Sequence, residues 1–596
     1  MTLKGKRKVS FDEVIADSIS PELGLKEQPL ENRIFKFVWL AFLVGACLIF
    51  GRLFSLGVFN HGYYADRALA NVDEKIPIIA PRGLIVDRTG VPLAANQPVW
   101  SVSLNVSEML KSGARDKTFS SLQNILALKP DDLLKTIARA NLEETNEVVV
   151  ANDITRDQVI AIQSLDFPYL NVIQGYARDY ISPAFSTVTG YVGWGADNIV
   201  TGKAGLEEEY DNLLRGKNGY EVIYRNALGK PQGQSELAPK IGETLKTTID
   251  APFQEYFYKT MLSAITSMGQ TSGVGLAINP QNGEILSLIS FPSYDANKVG
   301  SYLTDPNHPL FNRAVSGQYS PGSTIKPLVA AAALKERVIS PTTQIFSPGY
   351  LDIPNPYDPS KPSRFMDWQY QGWVDLYSAL AKSSDVYFYE VGGGFGVQPG
   401  LGIEKLNEYW RAFGLGRKSG IDFPGEAAGL LPDPNYLKAK TGTPWLIGNT
   451  YNVAIGQGDL LVTPLQLVDA LSAIANGGVV YEPHLNLGLP PKQILNLTDL
   501  EPEFKEVRQG MEDVVSKPYG TAYTLHTLTF LIAGKSGSAQ THLNKNVNAL
   551  FVGYTPTEHP KIMVLVLIEN AREGSLNATP IVGNVLNWYY ENRLKK

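Results

Sequence analysis

An apolar run near the N-terminus constrains the fold of this chain more than any other feature. From residue 34 the sequence reads IFKFVWLAFLVGACLIFGRLFSLGVF, and residues 37–50 carry no charge. With its flanks the run reaches the roughly 20 residues that cross a bilayer as a helix, and Lys36 and Arg52 lie near enough to its ends to reach the lipid headgroups. Because the run is apolar on all sides, a membrane helix is favoured over a helix buried in a soluble core.

The residues around the run predict an uncleaved anchor and its orientation. The sequence RLFSL that follows it is a poor cleavage site for a signal peptidase. The basic sequence KGKRK at residues 4–8 precedes it. By the positive-inside rule we predict a cytoplasmic tail over 1–33 and a single transmembrane helix over 34–57, with everything from residue 58 on the outer side of the cytoplasmic (inner) membrane.

Composition and charge exclude several classes of protein. The 596 residues are too many for one hydrophobic core, so several structural units are expected. A net charge of −6, with Lys and Arg spread along the chain, is not that of a nucleic-acid-binding protein. Cys47 is the single cysteine, which excludes an internal disulfide and a cysteine-based zinc site. The six histidines form no metal-binding pattern, so we predict no metal and no cofactor.

Residues 58–245 alternate strand-like and helical patterns. Two apolar runs surround turn residues in KIPIIAPRGLIVDRTGVPLAAN, and EVVVANDIT is a further strand-like run. DDLLKTIARANLEE and TRDQVIAIQSL have the periodicity of amphipathic helices. The pattern predicts an α+β unit without an obvious catalytic cluster.

Residues 246–596 predict a second α+β unit with a different order of elements. QEYFYKTMLSAITSM predicts a helix, and two apolar runs around Asn282-Gly283 predict a hairpin. A mostly helical stretch extends from Ser323 to about Leu471. Three more strands are predicted in TLTFLIAGKSGSAQ, NALFVGYTP and KIMVLVLIEN, and a closing helix in NVLNWYYENRL. This order predicts a mostly antiparallel sheet sandwiched by helices.

The sequence SPGSTIKP contains a serine three residues before a lysine. Pro321-Gly322 breaks the chain and Pro327 is tolerated in a first helical turn, so Ser323 and Lys326 would lie on one face at the positive end of a helix. Unpaired N–H groups there can bind an oxyanion. A lysine acts as a base only when neutral, and moving its pKa from about 10.4 to near 7 costs about 4–5 kcal/mol, which requires burial and a second cation. The alternative is a helix-capping serine beside a surface lysine, because Ser-x-x-Lys occurs by chance roughly two or three times in 600 residues.

Two later motifs favour catalysis over coincidence. SSD at 383–385 and KSG at 535–537 complete the order that is the signature of penicillin-binding proteins and class A β-lactamases. Lys535 would be the second cation, able to lower the pKa of a neighbouring lysine and to bind a substrate carboxylate. Gly537 would let a strand approach a ligand closely, so that a peptide can pair along the strand edge. Ser383 would relay a proton. Each residue alone has an ordinary alternative, as a strand-end lysine, a turn glycine or a capping serine.

Beyond these motifs the chain resembles the class B penicillin-binding proteins, which are membrane-anchored peptidoglycan D,D-transpeptidases, and most of all the penicillin-binding protein 2 branch of cell elongation. The resemblance implies an elongated α+β pedestal, similar to a penicillin-binding protein dimerisation domain, over 58–245. It implies a β-lactamase/transpeptidase-like catalytic domain over 246–596. The matching sequences are PRGLIVDRTGVPLAAN, GYVG and GKAGLEEEYDNLLRGKNG in the pedestal, and INPQNGEILSLISFPSYDAN, FNRAVSGQYSPGSTIKP, FGLGRKSGIDFPGEAAGLLP, AIGQGDLLVTPLQL and GTAYTL in the catalytic domain.

The resemblance also implies a mechanism. Ser323 would attack a D-Ala-D-Ala stem peptide and Lys326 would take its proton, giving an acyl-enzyme that an amine from a second stem peptide resolves. Lys535 and Ser536 would hold the donor carboxylate, and the backbone N–H groups of Ser323 and Ser538 would form the oxyanion hole. β-Lactams would inhibit by mimicking the donor. A membrane glycosyltransferase of the SEDS family would be a partner, contacted through the anchor and the pedestal.

The sequence departs from the family pattern at three places. Asp385 stands where the wider family usually has Asn, and a carboxylate there would favour a charged Lys326. Ser538 replaces the commoner Thr but keeps the hydroxyl. Some relatives bind zinc near the site through Cys and His, and residues 347–383 contain neither.

Three alternative functions share these features. A β-lactamase or β-lactam sensor has the same motifs, but we find no candidate base for deacylation and no use for residues 58–245. A D,D-carboxypeptidase would use water as the acceptor, and this remains open as a side activity. The third alternative is a scaffold that mainly binds a membrane glycosyltransferase, against which the intact pair of Ser323 and Lys326 argues.

Overall fold

The computed structural model describes residues 32–60, 73–139, 147–195, 199–225, 231–355, 358, 360–540 and 547–595. All but the last two residues of the predicted cytoplasmic tail lie outside this part of the chain, as do the last five residues of the helical pattern DDLLKTIARANLEE.

Helix α1 (Asn32–Phe54) continues into a π-helical turn (Ser55–Phe59). The apolar helical stretch Ile34–Phe59 is long enough to cross a membrane, and it is the single such helix in the described part of the chain. Its large apolar side chains are exposed, for example Phe37 and Phe50. A helix that leaves its own apolar surface uncovered on every side suits a lipid environment, because all its backbone bonds are internal. The helix is therefore compatible with a single-pass membrane anchor.

The region from residue 73 to 246 is the α+β unit that the sequence predicts. Its strands are β1 (Asp73–Ile78), β2 (Ile85–Val86), β3 (Pro92–Asn105), β4 (Glu147–Ile154), β5 (Leu170–Tyr180), β6 (Tyr191–Trp194), β7 (Val200–Ala204), β8 (Gly219–Arg225), β9 (Pro231–Leu237) and β10 (Leu245–Lys246). Its helices are α2 (Val106–Ser112), α3 (Arg115–Leu126), α4 (Pro130–Arg139), α5 (Arg156–Gln163), α6 (Ser186–Thr189), α7 (Gly205–Glu209) and α8 (Asp211–Leu214).

The long strand β3 organises this region. It pairs antiparallel with β4 and, along 11 residues, with β5, and β2 and β10 complete a five-stranded sheet. Val102 and Leu104 are two residues apart and so lie on the same face of β3. They pack with Leu122 of α3 in a separate hydrophobic core. Helix α5 begins where predicted, because Thr155 and Gln158 form a capping box.

The C-terminal region contains the predicted antiparallel sheet. The order of its strands is β12-β11-β21-β20-β19, so β19 lies at one edge. The strands of the region are β11 (Gly273–Ile278), β12 (Ile285–Phe291), β13 (Ile345–Ser347), β14 (Tyr350–Ile353), β15 (Ser363–Met366), β16 (Gly372–Val374), β17 (Val479–Tyr481), β18 (Gln493–Asn496), β19 (Ala533–Gln540), β20 (Val547–Thr555) and β21 (Ile562–Ala571).

The helices of this region are α9 (Ala251–Ser267), α10 (Lys326–Lys335), α11 (Leu376–Lys382), α12 (Asp385–Gly393), α13 (Gly402–Ala412), α14 (Pro434–Thr441), α15 (Ile447–Ala454), α16 (Pro464–Asn476), α17 (Glu501–Ser516), α18 (Gly574–Asn577) and α19 (Thr579–Tyr589). Within the mostly helical stretch the structure adds two small sheets, in which β13 pairs with β16 and β14 with β15. Their strands have three or four residues, too few for an alternating pattern to be recognised in the sequence.

Helices cover both faces of the large sheet, which confirms the predicted fold class. On one face α9 and α19 pack against the strands and each other. On the other face α16 contacts β11 and β21. Helix α10 lies behind it and packs against α12, α13, α16 and α17, and residues 328–333 are buried on every side. The run of four alanines in α10 permits this close packing because it leaves little side-chain volume between helices.

Candidate active site

The turn that carries Ser323 is fixed to a neighbouring loop before helix α10 begins. Residues 322–325 form a 3₁₀ turn, Lys326 donates its N–H to the Ser323 carbonyl, and α10 starts at Lys326. The Gly322 N–H donates to the Gly456 carbonyl at 2.9 Å. Ser323 therefore lies in a 3₁₀ turn and only Lys326 belongs to the α-helix, but residues three apart in a 3₁₀ turn still lie on one face, as the sequence predicts. Pro327 does occupy the first helical turn.

The Lys326 side chain is completely buried and its ammonium has three polar contacts. Nζ lies 2.8 Å from the Ser383 carbonyl oxygen, 2.7 Å from Asp385 Oδ1 and 3.4 Å from Ser383 Oγ. The ring of Phe388 lies beneath it, with Nζ 5.4 Å from the ring centre. A charge buried to this degree requires such partners. Within the described residues no hydrogen bond joins Lys326 Nζ to Ser323 Oγ, so the resting ammonium is directed toward the middle motif.

The middle motif forms the junction between two helices. Helix α11 ends at Lys382, and Ser383 adopts a left-handed conformation with φ of 58°. Ser384 then caps α12, and Asp385 is the first residue of that helix. A non-glycine residue in the left-handed region is strained, and such strain persists where the surroundings enforce it. Here the turn directs both the carbonyl and the hydroxyl of Ser383 toward Lys326.

Lys535 lies on the opposite side of the Ser383 hydroxyl. Its side chain is completely buried, and Nζ donates to Ser383 Oγ and to the Ser536 carbonyl, both at 2.9 Å. Burial, followed by the charge of Lys326, lowers the pKa of Lys535 well below its ordinary value. The sequence predicted that the charge of Lys535 lowers the pKa of Lys326. In the structure the charge of Lys326 also acts on Lys535, whose own pKa is lowered. Ser383 Oγ therefore bridges two buried lysines.

The carboxyl group of Asp385 is held in its charged form less firmly than its ion pair suggests. Burial raises the pKa of Asp385, and the attraction of Lys326 offsets this only in part. The negative charge of Asp367 acts in the same direction as burial. The effect of burial exceeds the attraction of Lys326, so the pKa of the Asp385 carboxyl group lies above that of an exposed aspartate.

Strand β19 presents the third motif at the free edge of the sheet. It pairs with β20 on one side, and Lys535 is opposite Val552 in that register. The Ser536 hydroxyl shares a hydrogen bond of 2.7 Å with Thr521 Oγ1. The Ser538 carbonyl accepts from Gln457 Nε2 at 3.1 Å. In an extended strand the N–H and C=O of one residue point to the same side, so the Ser538 N–H points away from β20, toward the turn of Ser323.

Known family models cover most of this chain. Residues 273–587 match the model described as "Penicillin binding protein transpeptidase domain", and residues 77–247 match "Penicillin-binding Protein dimerisation domain". The chain belongs to the penicillin-binding protein transpeptidase family. Among its relatives, "Peptidoglycan D,D-transpeptidase MrdA" of Haemophilus influenzae is 30% identical over 632 residues, which cover 96% of this chain and 94% of the relative.

Solved structures agree with this assignment. The "Complex between Penicillin-Binding Protein (PBP2) and MreC from Helicobacter pylori" contains a chain that is 26% identical, with a TM-score of 0.74 over 88% of this chain and 100% of that one. A chain in "Structural coordination of polymerization and crosslinking by a peptidoglycan synthase complex" is 27% identical, with a TM-score of 0.65 over 94% of this chain and 99% of that one. The predicted resemblance to class B penicillin-binding proteins, and to penicillin-binding protein 2 in particular, is confirmed.

Some residues of this penicillin-binding protein's site were missed by sequence reasoning. Asp367 accepts hydrogen bonds of 2.9 Å from the hydroxyls of Ser347 and Ser384, and so holds the middle motif in place. Nothing in its sequence surroundings signals this role. Gln457 and Thr521 do have a signal, because both lie within sequences that match the family, AIGQGDLLVTPLQL and GTAYTL. Among the described residues no group of three or more His, Cys, Asp and Glu side chains could hold a metal ion.

Two glycines set the contact between the Ser323 turn and strand β19. A Cβ atom added at Gly537 would lie 2.8 Å from Thr324 Cγ2 and 3.1 Å from the Pro321 carbonyl oxygen. One added at Gly322, where φ is 54°, would lie 2.8 Å from the Ser538 carbonyl oxygen. The sequence predicted that Gly537 permits close approach of a ligand. In the structure Gly537 also approaches the Ser323 turn closely, so both glycines fix the distance between Ser323 and the strand.

We expect Gly537→Ala to slow acylation by penicillin about 100-fold or more. The added methyl group must displace the Ser323 turn, and misplacement by about 1 Å is enough for a loss of this size. The second-order rate constant of labelling with a fluorescent penicillin measures the effect. Gly300→Ala is the matched control, because a Cβ atom there meets nothing within 4 Å. Equal rates for Gly537→Ala and the wild type would contradict this role of the glycine.

Proposed function

We propose that this penicillin-binding protein cross-links peptidoglycan stem peptides during cell elongation, through an acyl-enzyme on Ser323. The observation that carries the proposal is the position of Ser323, which is partly exposed beside the free edge of β19 and one helical turn before the buried Lys326. Ser383 Oγ joins Lys326 to the second buried lysine, Lys535 of β19. The relatives named as peptidoglycan D,D-transpeptidases support the same activity.

In the first step, Ser323 Oγ attacks the carbonyl carbon of the penultimate D-alanine and loses its proton to Lys326. Lys326 must first be uncharged. We propose that the donor carboxylate, arriving at Lys535 and Ser536, favours the charged form of Lys535, because a nearby opposite charge raises the pKa of a lysine. A proton can then pass from Lys326 through Ser383 Oγ to Lys535. Substrate binding thus prepares the base.

In the second step, the tetrahedral oxyanion accepts hydrogen bonds from the backbone N–H groups of Ser323 and Ser538. The C–N bond then breaks, the terminal D-alanine leaves with the proton from Lys326, and the acyl group remains on Ser323. The amine of a second stem peptide then attacks the ester and gives a proton to Lys326. The ester C–O bond breaks, Ser323 Oγ takes the proton back, and the new amide is the cross-link. A β-lactam follows the first step alone, because its ring-opened leaving group stays attached and blocks the acceptor.

We also propose the arrangement at the membrane. Residues 1–33 would lie in the cytoplasm, 34–57 would cross the membrane, and the pedestal (58–245) and catalytic domain (246–596) would lie outside. The titles of the similar structures name a complex with MreC and a peptidoglycan synthase complex. These support binding of a MreC-like protein and of a SEDS-family glycosyltransferase through the anchor and the pedestal.

Labelling of the purified wild-type protein with a fluorescent penicillin, followed over hours, tests the activity class. We expect one stable label per chain, together with release of D-alanine and cross-linked product when donor and acceptor stem peptides are supplied. A label that appears and then decays with hydrolysis of the antibiotic would indicate a β-lactamase. Release of D-alanine without cross-linked product would indicate a D,D-carboxypeptidase.

The pH dependence of acylation should report on Asp385. Because burial raises its pKa, a fall in pH protonates Asp385 earlier than an exposed aspartate and removes the charge that faces Lys326. We therefore expect the wild-type acylation rate to change at a pH above about 4, the ordinary range of an aspartate. Asp385→Asn should lose this acid limb and keep the rate near neutral pH within about tenfold, because asparagine retains the oxygen that accepts from Lys326.

Acylation rates measured between pH 4 and pH 8 for Asp385→Asn, and for the partly exposed control Asp352→Asn, test this assignment. The control should keep the wild-type profile. An unchanged acid limb in Asp385→Asn would assign the titration to another group.

A further inference from the structure

A cavity in the pedestal is lined by an unusual concentration of arginine. It has a volume of about 500 Å³ and lies far along the chain from the catalytic motifs, with Arg82, Arg178 and Arg215 among its lining residues. This volume is typical of sites for small organic ligands. We call it the pedestal arginine pocket.

Two buried acidic residues neutralise these arginines only in part. Glu207 accepts from Arg82 Nε at 2.5 Å and from Arg178 Nε at 2.6 Å. Asp211 accepts from Arg82 Nη2 at 2.8 Å and pairs with Arg215. The two carboxylates therefore serve three guanidinium groups.

Each of the three guanidinium groups retains a buried nitrogen without a partner. These are Arg82 Nη1, Arg178 Nη2 and Arg215 Nε. The Arg82 and Arg178 side chains are only 8% and 3% exposed. Buried donors of charged groups rarely lack a partner, because each missing bond is costly. Three such donors belong to side chains that line one cavity, where an acceptor of suitable geometry could bond to them.

The charge and the neutral lining suggest the class of that acceptor. Lys217 also lines the pocket, so the lining carries four basic side chains. Among the described residues only the carboxylates of Glu207 and Asp211 pair with the arginines, which leaves an excess of two positive charges. The amides of Asn152 and Asn218 and the ring of Trp194 complete a lining that suits a peptide-like molecule. Guanidinium groups bind carboxylate and phosphate through paired N–H groups.

We propose that the pedestal arginine pocket binds an oxyanion, the carboxylate or phosphate of a peptide-sized ligand, independently of the catalytic site. The three unpaired arginine nitrogens have little contact with solvent, so the anion can reach them only after a small rotation of the arginine side chains. The anion would not replace any existing ion pair. The site would give the pedestal a binding role in addition to its role as a support.

The test uses the full chain in detergent, first acylated with penicillin so that the catalytic site is closed. Calorimetric titrations at constant ionic strength compare acetyl-D-Ala-D-Ala, its C-terminal carboxamide and inorganic phosphate. We expect the free carboxylate or the phosphate to bind, and the carboxamide to bind about tenfold more weakly or not at all. The tighter of the two anions identifies the source of the oxyanion.

Arg215→Gln and Lys217→Gln locate the binding. Both side chains are at least partly exposed, so these changes should leave the fold intact. By contrast, replacement of Arg82 or Arg178 would strip a partner from the buried Glu207. Arg215→Gln should weaken anion binding about tenfold, and the exposed control Arg115→Gln should leave it unchanged. Binding of none of the probes, or equal binding by Arg215→Gln and the wild type, would overturn the proposal while penicillin labelling of Ser323 stays unaffected.

Discussion

Replacement of Ser323 by alanine should abolish covalent labelling by penicillin and all cross-linking. The Ser323 hydroxyl is the group proposed to form the acyl ester, and Ser383 Oγ is not expected to take its place because it is held between Lys326 and Lys535. Losses of about 10⁶-fold accompany removal of a catalytic serine in enzymes of similar chemistry. Gel fluorescence after labelling, and mass spectrometry of the intact chain, would measure the result.

Two observations make this test specific. Ser320→Ala changes a serine three residues upstream in the same loop and should label at the wild-type rate. The melting temperature of Ser323→Ala should equal that of the wild type, because Ser323 is only partly buried. A stoichiometric label on folded Ser323→Ala would refute its role as the nucleophile and favour a scaffold with a reactive group elsewhere.

Loss of Lys326 should be severe, although smaller in effect than loss of Ser323. General acid–base catalysis contributes about 10²–10⁴-fold, so acylation by Lys326→Met should slow by that factor. Lys326→Arg keeps a positive charge near Asp385 but cannot accept the serine proton, since arginine stays charged at any accessible pH. If Lys326 acts as the base, both variants should be slow. If its charge alone matters, Lys326→Arg should retain most of the rate.

The stability of these variants needs its own measurement. Lys326→Met leaves Asp385 buried without its partner, which is expected to cost stability. The double variant Lys326→Met with Asp385→Asn removes both charges and should recover the melting temperature but not the rate. Lys335→Met, at the other end of α10, is the control for a lysine change in the same helix. Recovery of acylation in the double variant would contradict the base role.

The sequence predicted those secondary-structure elements that depend mainly on short stretches of neighbouring residues. The hairpin around Asn282-Gly283, the three C-terminal strands and α9 all occur where the patterns placed them, because a strong turn signal or a long apolar run specifies each. The three motifs meet in one site, as their order indicated. Their mutual geometry was not predictable, since Lys326 and Ser383 are 57 residues apart and the contact depends on how α10 and α11 pack.

Tertiary packing also decides what single residues do. The left-handed turn at Ser383 depends on the helices that it joins, and serine has no preference that would reveal it. Asp367 lies in a short loop before β16, and its contacts to the middle motif follow from the small sheets that the sequence did not show. The contact of Gly537 with Thr324 was not predictable, because Thr324 is more than 200 residues away in the chain.

The glycine contact between the Ser323 turn and β19 has a consequence for regulation. Ser323, the proposed nucleophile, and Ser538, a proposed oxyanion donor, lie on segments in close backbone contact at Gly322 and Gly537. We therefore expect that a binding partner does not switch the enzyme by pulling these two groups apart. The junction between α11 and α12 is built differently, because it reaches the lysines through side chains and a strained turn rather than through close backbone packing. We therefore expect control from outside to act on that junction, through the proposed proton path, or on the free edge of the sheet, where the donor is proposed to bind.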